Sequence, residues 1–155
     1  MVKLNRMNKD EFDRFMSRSI LDYAADKVMI GAWREEEATR LAEESFQHLL
    51  PDGLETKGAY LYTICDLEQS VGYLWIQISE HPFGKSAFLY DILIYESFQN
   101  QGYGKQTMAA LDEVAKGLGA NEISLHVFGN NQRALKLYEK SGYIITDYNM
   151  TKSLI

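Results

Sequence analysis

The segment Gln99-Asn100-Gln101-Gly102-Tyr103-Gly104-Lys105 decides the fold, because it joins an apolar run at 88–95 to a helical pattern from Thr107 onward. Glycines let the backbone approach a ligand closely and adopt positive φ without steric cost. The first N–H groups of a helix lack intrahelical partners and lie at the positive end of its dipole. The segment therefore predicts a phosphate- or pyrophosphate-binding loop between a strand and a helix, with a plain tight turn as the alternative.

Two well-known phosphate motifs do not match this loop. Gly102 and Gly104 lack the third glycine of a dinucleotide fingerprint, and no acidic residue is placed for a ribose after the next strand. The glycine spacing also differs from that of a Walker A loop, and Lys105-Gln106 stands where Lys-Ser/Thr would be required.

Hydrophobic periodicity on both sides of the loop predicts a mixed α/β fold. The chain is interpreted as one domain over 1–155, because it contains no repeat, low-complexity segment or linker. The order is strand, two helices, three strands, helix, strand, helix, strand. The unit from 88 to 128 predicts a parallel strand pair with a right-handed crossover. The strands are expected at 2–7, 59–67, 71–79, 86–95, 122–128 and 143–150, and the helices begin near Asn8, Arg34, Thr107 and Asn131.

Composition excludes several classes of protein. The formal net charge of −6 argues against general nucleic-acid binding, which needs clustered basic surface. Cys65 is the only cysteine, so no intramolecular disulfide forms and no oxidising compartment is required. No signal peptide and no bilayer-spanning apolar run is recognised, so the expectation is a cytoplasmic protein without membrane association.

A second motif lies at 131–143, Asn-Gln-Arg-Ala-Leu-Lys-Leu-Tyr-Glu-Lys-Ser-Gly-Tyr. It has the form of an amphipathic helix with an N-cap Asn and a glycine after its last turn. Tyr138 follows Ala134 by four residues and is expected to share its face. An ordinary phenol, with a pKa near ~10, can give a proton to a leaving thiolate, whose acid has a pKa near ~8.5.

Together the two motifs resemble those of the GCN5-related N-acetyltransferases. The first is the Gln/Arg-x-x-Gly-x-Gly/Ala loop, matched by Gln99, Gly102 and Gly104. The second is Asn-x-x-Ala-x-x-Leu-Tyr-Glu-Lys-x-Gly-Phe/Tyr, matched at 131–143. The similarity is clear from about 88 to 143, and the predicted order of elements agrees with that family along nearly the whole chain. The resemblance implies a mixed, mostly antiparallel sheet flanked by helices, with a splayed parallel strand pair.

The resemblance also implies acetyl-coenzyme A as co-substrate, bound in an opening between the strands at 92–94 and 123–127. Backbone groups of Leu93 and Ile94 would pair with the pantetheine arm like an added strand. A backbone N–H near Leu93 would stabilise the oxyanion, and Tyr138 would be the general acid. The residues implied to bind coenzyme A are Ile92, Leu93, Ile94, Gln99, Asn100, Gln101, Gly102, Tyr103, Gly104, Lys105, Asn131, Ala134, Tyr138 and Lys140.

Two carboxylates are candidates for the general base, which must reach the substrate ammonium. Asp91 lies on the strand that leads to the cofactor site, on the same side as Leu93 by period-2 alternation. Glu36 begins the second helix, where acidic residues also complement the helix dipole. The aromatic residues Trp33, Tyr73 and Trp75 are candidates for a cation-binding wall, although a core role is favoured for Trp75. No histidine or cysteine spacing is typical of a metal site, so no metal is expected.

The function implied is an acetyl-CoA-dependent N-acetyltransferase that acts on a primary amine by direct attack on the thioester. The alternatives are a non-catalytic acyl-CoA-binding or regulatory module on the same fold, and a general nucleotide-binding protein. The acceptor stays open among small amines, polyamines, aminoglycosides, amino acids and peptide amines. The oligomeric state stays open, and the resemblance offers a homodimer as one possibility, since family members often dimerise through terminal strands.

Overall fold

The computed structural model describes all residues from Met1 to Ile155. Five strands form one sheet in the order β1-β2-β3-β4-β5, and four α-helices accompany it. The strands are β1 (Val2–Arg6), β2 (Ala59–Asp66), β3 (Gln69–His81), β4 (Gly84–Ile94) and β5 (Ala120–Leu125). The helices are α1 (Lys9–Met29), α2 (Glu35–Leu49), α3 (Tyr103–Gly117) and α4 (Gln132–Lys140).

The sheet is antiparallel from β1 to β4, and β5 pairs parallel with β4 after the α3 crossover. This is the mixed, mostly antiparallel sheet that was expected, with its one parallel pair in the expected place. No helix has both the length and the apolar character that a bilayer crossing requires.

Each face of the sheet carries its own apolar core. On one face the α3 residues Met108 and Leu111 pack against β-strand side chains such as Leu74 and Ile76. On the other face Phe15 of α1 and Phe46 of α2 pack with aromatic strand residues, among them Tyr73 and Trp75. Trp75 is 3% exposed, which confirms its assignment to the core.

Helices α1 and α2 begin at the residues that the sequence predicts, and the connection between them contains a glycine. Asn8 caps α1 through a capping box, accepting from the Glu11 N–H at 2.8 Å while the Glu11 carboxylate accepts from the Asn8 N–H at 2.9 Å. Gly31 takes φ +76° in the connection, a conformation that favours glycine. Arg34 then takes the N-cap position of α2.

A bulge in β4 marks the region where the site forms. Trp75 pairs with Asp91 and Ile76 pairs with Leu89, so Tyr90 has no partner across the ladder. The Tyr90 ring stacks on Trp75, with 4.6 Å between ring centroids. Bulges bend and twist the strand that carries them. Beyond this bulge, β4 also parts from β5.

The last predicted strand, Tyr143 to Met150, is wrong. These residues have no regular secondary structure, and most of their side chains, including Ile144 and Tyr148, are exposed. A cavity of about 960 Å³ has β5 on one wall and residues 143–149 on another, so the segment does not reach the strand edge. The alternating pattern alone could not form a strand here, because a strand needs a partner for its backbone groups.

Candidate active site

The loop before α3 presents a run of free backbone donors. None of the N–H groups of residues 100–105 makes a hydrogen bond within the chain. Asn100 and Gly102 take φ values of +62° and +85°, and Gly102 is the N-cap of α3 without a side-chain cap. The free N–H groups therefore gather at the positive end of a fifteen-residue helix, an arrangement that suits a bound anion.

Side chains on both sides hold this loop in place. Gln99 donates from Nε2 to the Ile94 carbonyl oxygen at 3.0 Å, which closes the turn after β4. The Tyr103 hydroxyl donates to Asp66 Oδ2 at 2.6 Å, which ties the first turn of α3 to the end of β2. This hydrogen bond lowers the pKa of Asp66 and raises the pKa of Tyr103. The side chains of both residues thus anchor the loop, while the N–H of Tyr103 stays free for a ligand.

Helix α4 packs on the same loop. Arg133 donates from Nη2 to Asn100 Oδ1 at 2.8 Å. A Cβ at Gly104 would lie 3.2 Å from Leu137 Cδ2, so glycine allows the close approach of α3 and α4. The two sequence motifs are therefore in direct contact.

The strands β4 and β5 separate at the end where the loop lies. Their parallel pairing covers 85–89 of β4, whereas β4 continues to Ile94 with no partner on that side. The N–H of Tyr95 donates to the Val71 carbonyl oxygen on β3, and a Cβ at Gly72 would overlap the Leu93 carbonyl oxygen. Because backbone direction alternates along a strand, Leu93 pairs with β3, and the backbone groups of Ile92 and Ile94 face the opening.

This alternation changes the expected roles on β4. The oxyanion donor and one of the two pantetheine contacts were expected at Leu93, which directs its backbone toward β3. The opening is bordered instead by the backbone groups of Ile92 and Ile94, and the Ile94 carbonyl oxygen already accepts from Gln99. Sequence alone could not give this direction, because period-2 alternation does not say which set of groups faces a neighbour.

Asp91 lies at the same end of β4, partly buried on the α1–α2 face. Burial raises the pKa of Asp91 to about 6, and the charges of Asp22 and Asp26 on α1 act in the same direction. The nearby Tyr73 hydroxyl and Ile92 N–H act in the opposite direction and lower the pKa of Asp91. A carboxyl group in this environment exchanges its proton near neutral pH, as a general base must.

Tyr138 lies on the inner side of α4, partly buried beside Tyr143 with 5.9 Å between ring centroids. Burial raises the pKa of Tyr138, and the charge of Asp91 adds to the effect. Burial also raises the pKa of Tyr143 to about 12. Tyr138 therefore keeps its proton at neutral pH, and the charge of Asp91 acts on its hydroxyl.

The remaining predicted residues lie around this centre. Asn131 caps α4, accepting from the Ala134 N–H at 3.3 Å. Lys105 and Lys140 are exposed. Glu36 is exposed in the first turn of α2 and forms no hydrogen bond or ion pair, so the structure does not bring it to Asp91.

The three aromatic residues that were candidates for a cation-binding wall lie in different environments. Tyr73 lies beside Asp91, and Trp75 is core. Trp33 packs on Tyr23 with 5.4 Å between ring centroids, and the Lys27 ammonium lies 5.7 Å from its ring centroid. Trp33 therefore already has an intramolecular cation at its face.

Sequence reasoning missed several residues that surround Asp91. Ser19 of α1 is 3% exposed and donates from Oγ to the Tyr73 hydroxyl at 3.3 Å. Asp22 and Asp26 follow on the same helix and act on the Asp91 carboxylate. A polar residue at a buried position of an amphipathic helix is the signal that could have identified Ser19.

Known proteins share this architecture. YycN of Bacillus subtilis, described as an uncharacterized N-acetyltransferase, is 42% identical over 99% of each chain. A crystal structure of YycN superimposes with a TM-score of 0.92 at 41% identity, over 100% of this chain and 99% of that one. YdgE of the same organism, also described as an uncharacterized N-acetyltransferase, is 35% identical over 97% of each chain.

A more distant structure shares the fold alone. AAC(6')-Iy, in complex with the bisubstrate analog CoA-S-monomethyl-acetylneamine, superimposes with a TM-score of 0.62 at 16% identity, over 99% of this chain and 97% of that one.

The model of the acetyltransferase (GNAT) family matches residues 22–143, which include β4, the loop before α3, and α4. The free N–H groups, the parted strands and the Asp91–Tyr138 pair all lie within the matched region. The chain belongs to the GNAT family of acetyltransferases.

Proposed function

We propose that this protein transfers the acetyl group of acetyl-CoA to a primary amine. The observation that carries the proposal is the run of unpartnered N–H groups at 100–105, placed at the end of an opening between two parallel strands. A pyrophosphate is the kind of anion that such a run holds. Family membership and the bisubstrate complex of the structurally similar AAC(6')-Iy support the same donor.

The residues at the loop and along β4 fit coenzyme A. The backbone of 100–105 would hold the pyrophosphate, with Gln99 and Tyr103 keeping the loop in shape. The free backbone edge at Ile92 and Ile94 would take the pantetheine arm by added-strand pairing. Asn131 at the N-cap of α4, Ala134 in its first turn and Lys140 at its last residue complete the proposed set.

The reaction is a direct transfer between two substrates. Bound acetyl-CoA supplies a thioester, whose carbonyl carbon bonds to the amine nitrogen as the carbon–sulfur bond breaks. The amine reacts in its neutral form, after its ammonium has released one proton to solvent. Asp91 then takes the second proton from the nitrogen, directly or through a water, and Tyr138 gives its proton to the departing sulfur. Both residues then return to their starting states by exchange with solvent, so the protons balance over one turnover.

The chain stabilises and orients the reacting groups. The N–H groups of Ile92 and Ile94, on the unpaired edge of β4, are the donors that face the charge developing on the carbonyl oxygen. Binding the amine beside Asp91 removes its translational and rotational freedom before the chemical step. This entropy loss therefore does not add to the activation barrier of the acetyl transfer. The base that we propose is therefore Asp91 rather than Glu36, because Glu36 is exposed and unconnected to this cluster.

A screen with acetyl-CoA and a panel of primary amines tests this function. The measurement is amine-dependent release of free thiol, with the acetylated amine identified by mass spectrometry. The proposal expects equimolar thiol and acetyl-amine. Acetyl-CoA that binds in calorimetry but releases no thiol with any amine would instead indicate a binding module.

A further inference from the structure

A cavity of about 430 Å³ lies between the first half of α1 and the sheet, next to the candidate active site. Tyr73 belongs to both, because its side chain lines the cavity and its hydroxyl lies between Ser19 and Asp91. Met7, Phe15 and Tyr95 supply apolar and aromatic walls. Asp91 itself does not line the cavity, so an acceptor held there would reach Asp91 past the Tyr73 hydroxyl.

Two arginines give this cavity its chemistry. Arg14 and Arg18 lie one helical turn apart and both line it. Arg14 forms no ion pair or hydrogen bond within the chain. Arg18 contacts Asp22 only through Nε, at 3.5 Å from Oδ2, and its guanidinium lies 5.4 Å from the Tyr95 ring centroid. The terminal nitrogens of both side chains are therefore free to bind a ligand.

The one acidic residue of the cavity is already engaged. Glu11 accepts from the Asn8 N–H through Oε1 and from the Thr63 hydroxyl through Oε2, each at 2.9 Å. The charged groups that remain available in the cavity are the two guanidinium groups. A guanidinium binds a carboxylate through two parallel hydrogen bonds, so these groups favour a ligand with a carboxylate.

The charges along α1 are complementary to those of a ligand that carries a carboxylate and an ammonium group. Arg14, Arg18, Asp22 and Asp26 follow one another at four-residue steps, so they form one stripe with about 6 Å between neighbours along the helix axis. The two arginines line the cavity, and the two aspartates act on the carboxylate of Asp91. One end of the stripe suits an anion and the other end suits an ammonium group.

We propose that the acceptor is an amine that also carries a carboxylate, with the carboxylate bound by Arg14 and Arg18 and the amino group placed at Asp91. This inference rests on the proposed acetyl transfer and adds the chemical class of the acceptor. Arg14 and Arg18 are then specificity residues, which bind the acceptor without taking part in proton transfer.

Matched acceptor pairs test the inference with the full-length protein. Each α-amino acid and each straight-chain ω-amino acid is compared with its own primary amide, and thiol release gives kcat and KM. The acids should be used with at least about 10-fold higher kcat/KM than their amides, the effect of a charge-assisted hydrogen bond.

Variants of Arg14 and Arg18 test whether these two residues cause the preference for acids over amides. Arg14→Gln and Arg18→Gln should each raise KM for the best acid about 10- to 100-fold, with kcat within about threefold and the amide unaffected. The KM of Arg14→Lys for the best acid should lie between those of wild type and Arg14→Gln, because lysine keeps the charge but lacks the planar guanidinium that makes two parallel hydrogen bonds. Arg40→Gln is the matched control on α2, where Arg40 pairs only with Glu44 at the surface, and it should change neither constant.

The outcomes separate this inference from the function on which it rests. Amides used as well as acids, or glutamine variants that leave the acid-to-amide ratio unchanged, would overturn the acceptor class while acetyl transfer stands. Thiol release only with amines that lack a carboxylate would likewise overturn the acceptor class and leave acetyl transfer standing. Absence of amine-dependent thiol release across the whole panel would overturn both proposals.

Discussion

The Ser19 hydroxyl donates a hydrogen bond of 3.3 Å to the Tyr73 hydroxyl, which joins the middle of α1 to the strand beside Asp91. The Tyr73 hydroxyl in turn acts on the Asp91 carboxylate and opposes the effect of burial on its pKa. Helix α1, β3 and β4 therefore share a polar connection that ends at Asp91. The proposed base is held by this connection and stays partly desolvated.

Replacement of Asp91 should change stability in a pH-dependent way. The folded-state pKa of Asp91 is about 6, above the ordinary 3.8, so ionisation weakens the fold as pH rises from about 4 to 6. Asp91→Asn should then be more stable than wild type above pH 6, by at most about 3 kcal/mol, and equally stable below pH 4. Denaturant unfolding of both proteins from pH 3.5 to 8 measures the difference. A difference that is constant across this range would show that Asp91 titrates normally.

Tyr138→Phe should lower kcat about 10- to 100-fold, because the departing thiolate loses its proton donor. The affinity for coenzyme A should stay close to that of wild type, since the ring still packs against Tyr143. Steady-state kinetics and calorimetric titration with coenzyme A measure the two quantities. Tyr148→Phe, at a side chain 78% exposed, is the matched control and should leave both unchanged. Turnover in Tyr138→Phe equal to wild type would remove Tyr138 from the mechanism.

Gly102→Ala tests the anion-binding loop. Alanine at φ +85° carries a strain of about 1–2 kcal/mol, which should shift the loop and weaken coenzyme A binding about 5- to 30-fold. Pantetheine lacks the pyrophosphate, so its affinity should not change. Gly31→Ala is a matched control, because Gly31 also has positive φ, at +76°, and open space around its Cβ position. Equal losses for coenzyme A and pantetheine would indicate general damage rather than a lost phosphate contact.

The sequence predicted those parts of the fold that local chemistry determines. The Asn8–Glu11 capping box, the positive φ at Gly102 and the order of elements through α4 follow from residue types at fixed spacing. The loop of free backbone donors before α3 was predictable for the same reason, since its glycines and the helix start are adjacent in the chain. Family resemblance added the donor that we propose.

Features that depend on long-range packing could not be predicted. The bulge at Tyr90 appears only when β3 and β4 are paired, and it sets where Asp91 lies relative to Tyr73. The direction of the Leu93 backbone depends on the same pairing. The segment from Tyr143 to Met150 has the alternation of a strand but lies across a cavity from β5. The arginine-lined cavity likewise exists only where α1 crosses β2 and β3.

The pH dependence of kcat/KM for amine acetylation, in wild type and in Asp91→Asn, tests the central claim most directly. With a carboxylate base of pKa about 6, wild-type kcat/KM should rise tenfold per pH unit below pH 6, apart from the separate contribution of amine ionisation. Asp91→Asn should lose this limb and fall about 100-fold or more at pH 7.5. A variant with the same profile and rate as wild type would contradict the assignment of Asp91 as the base.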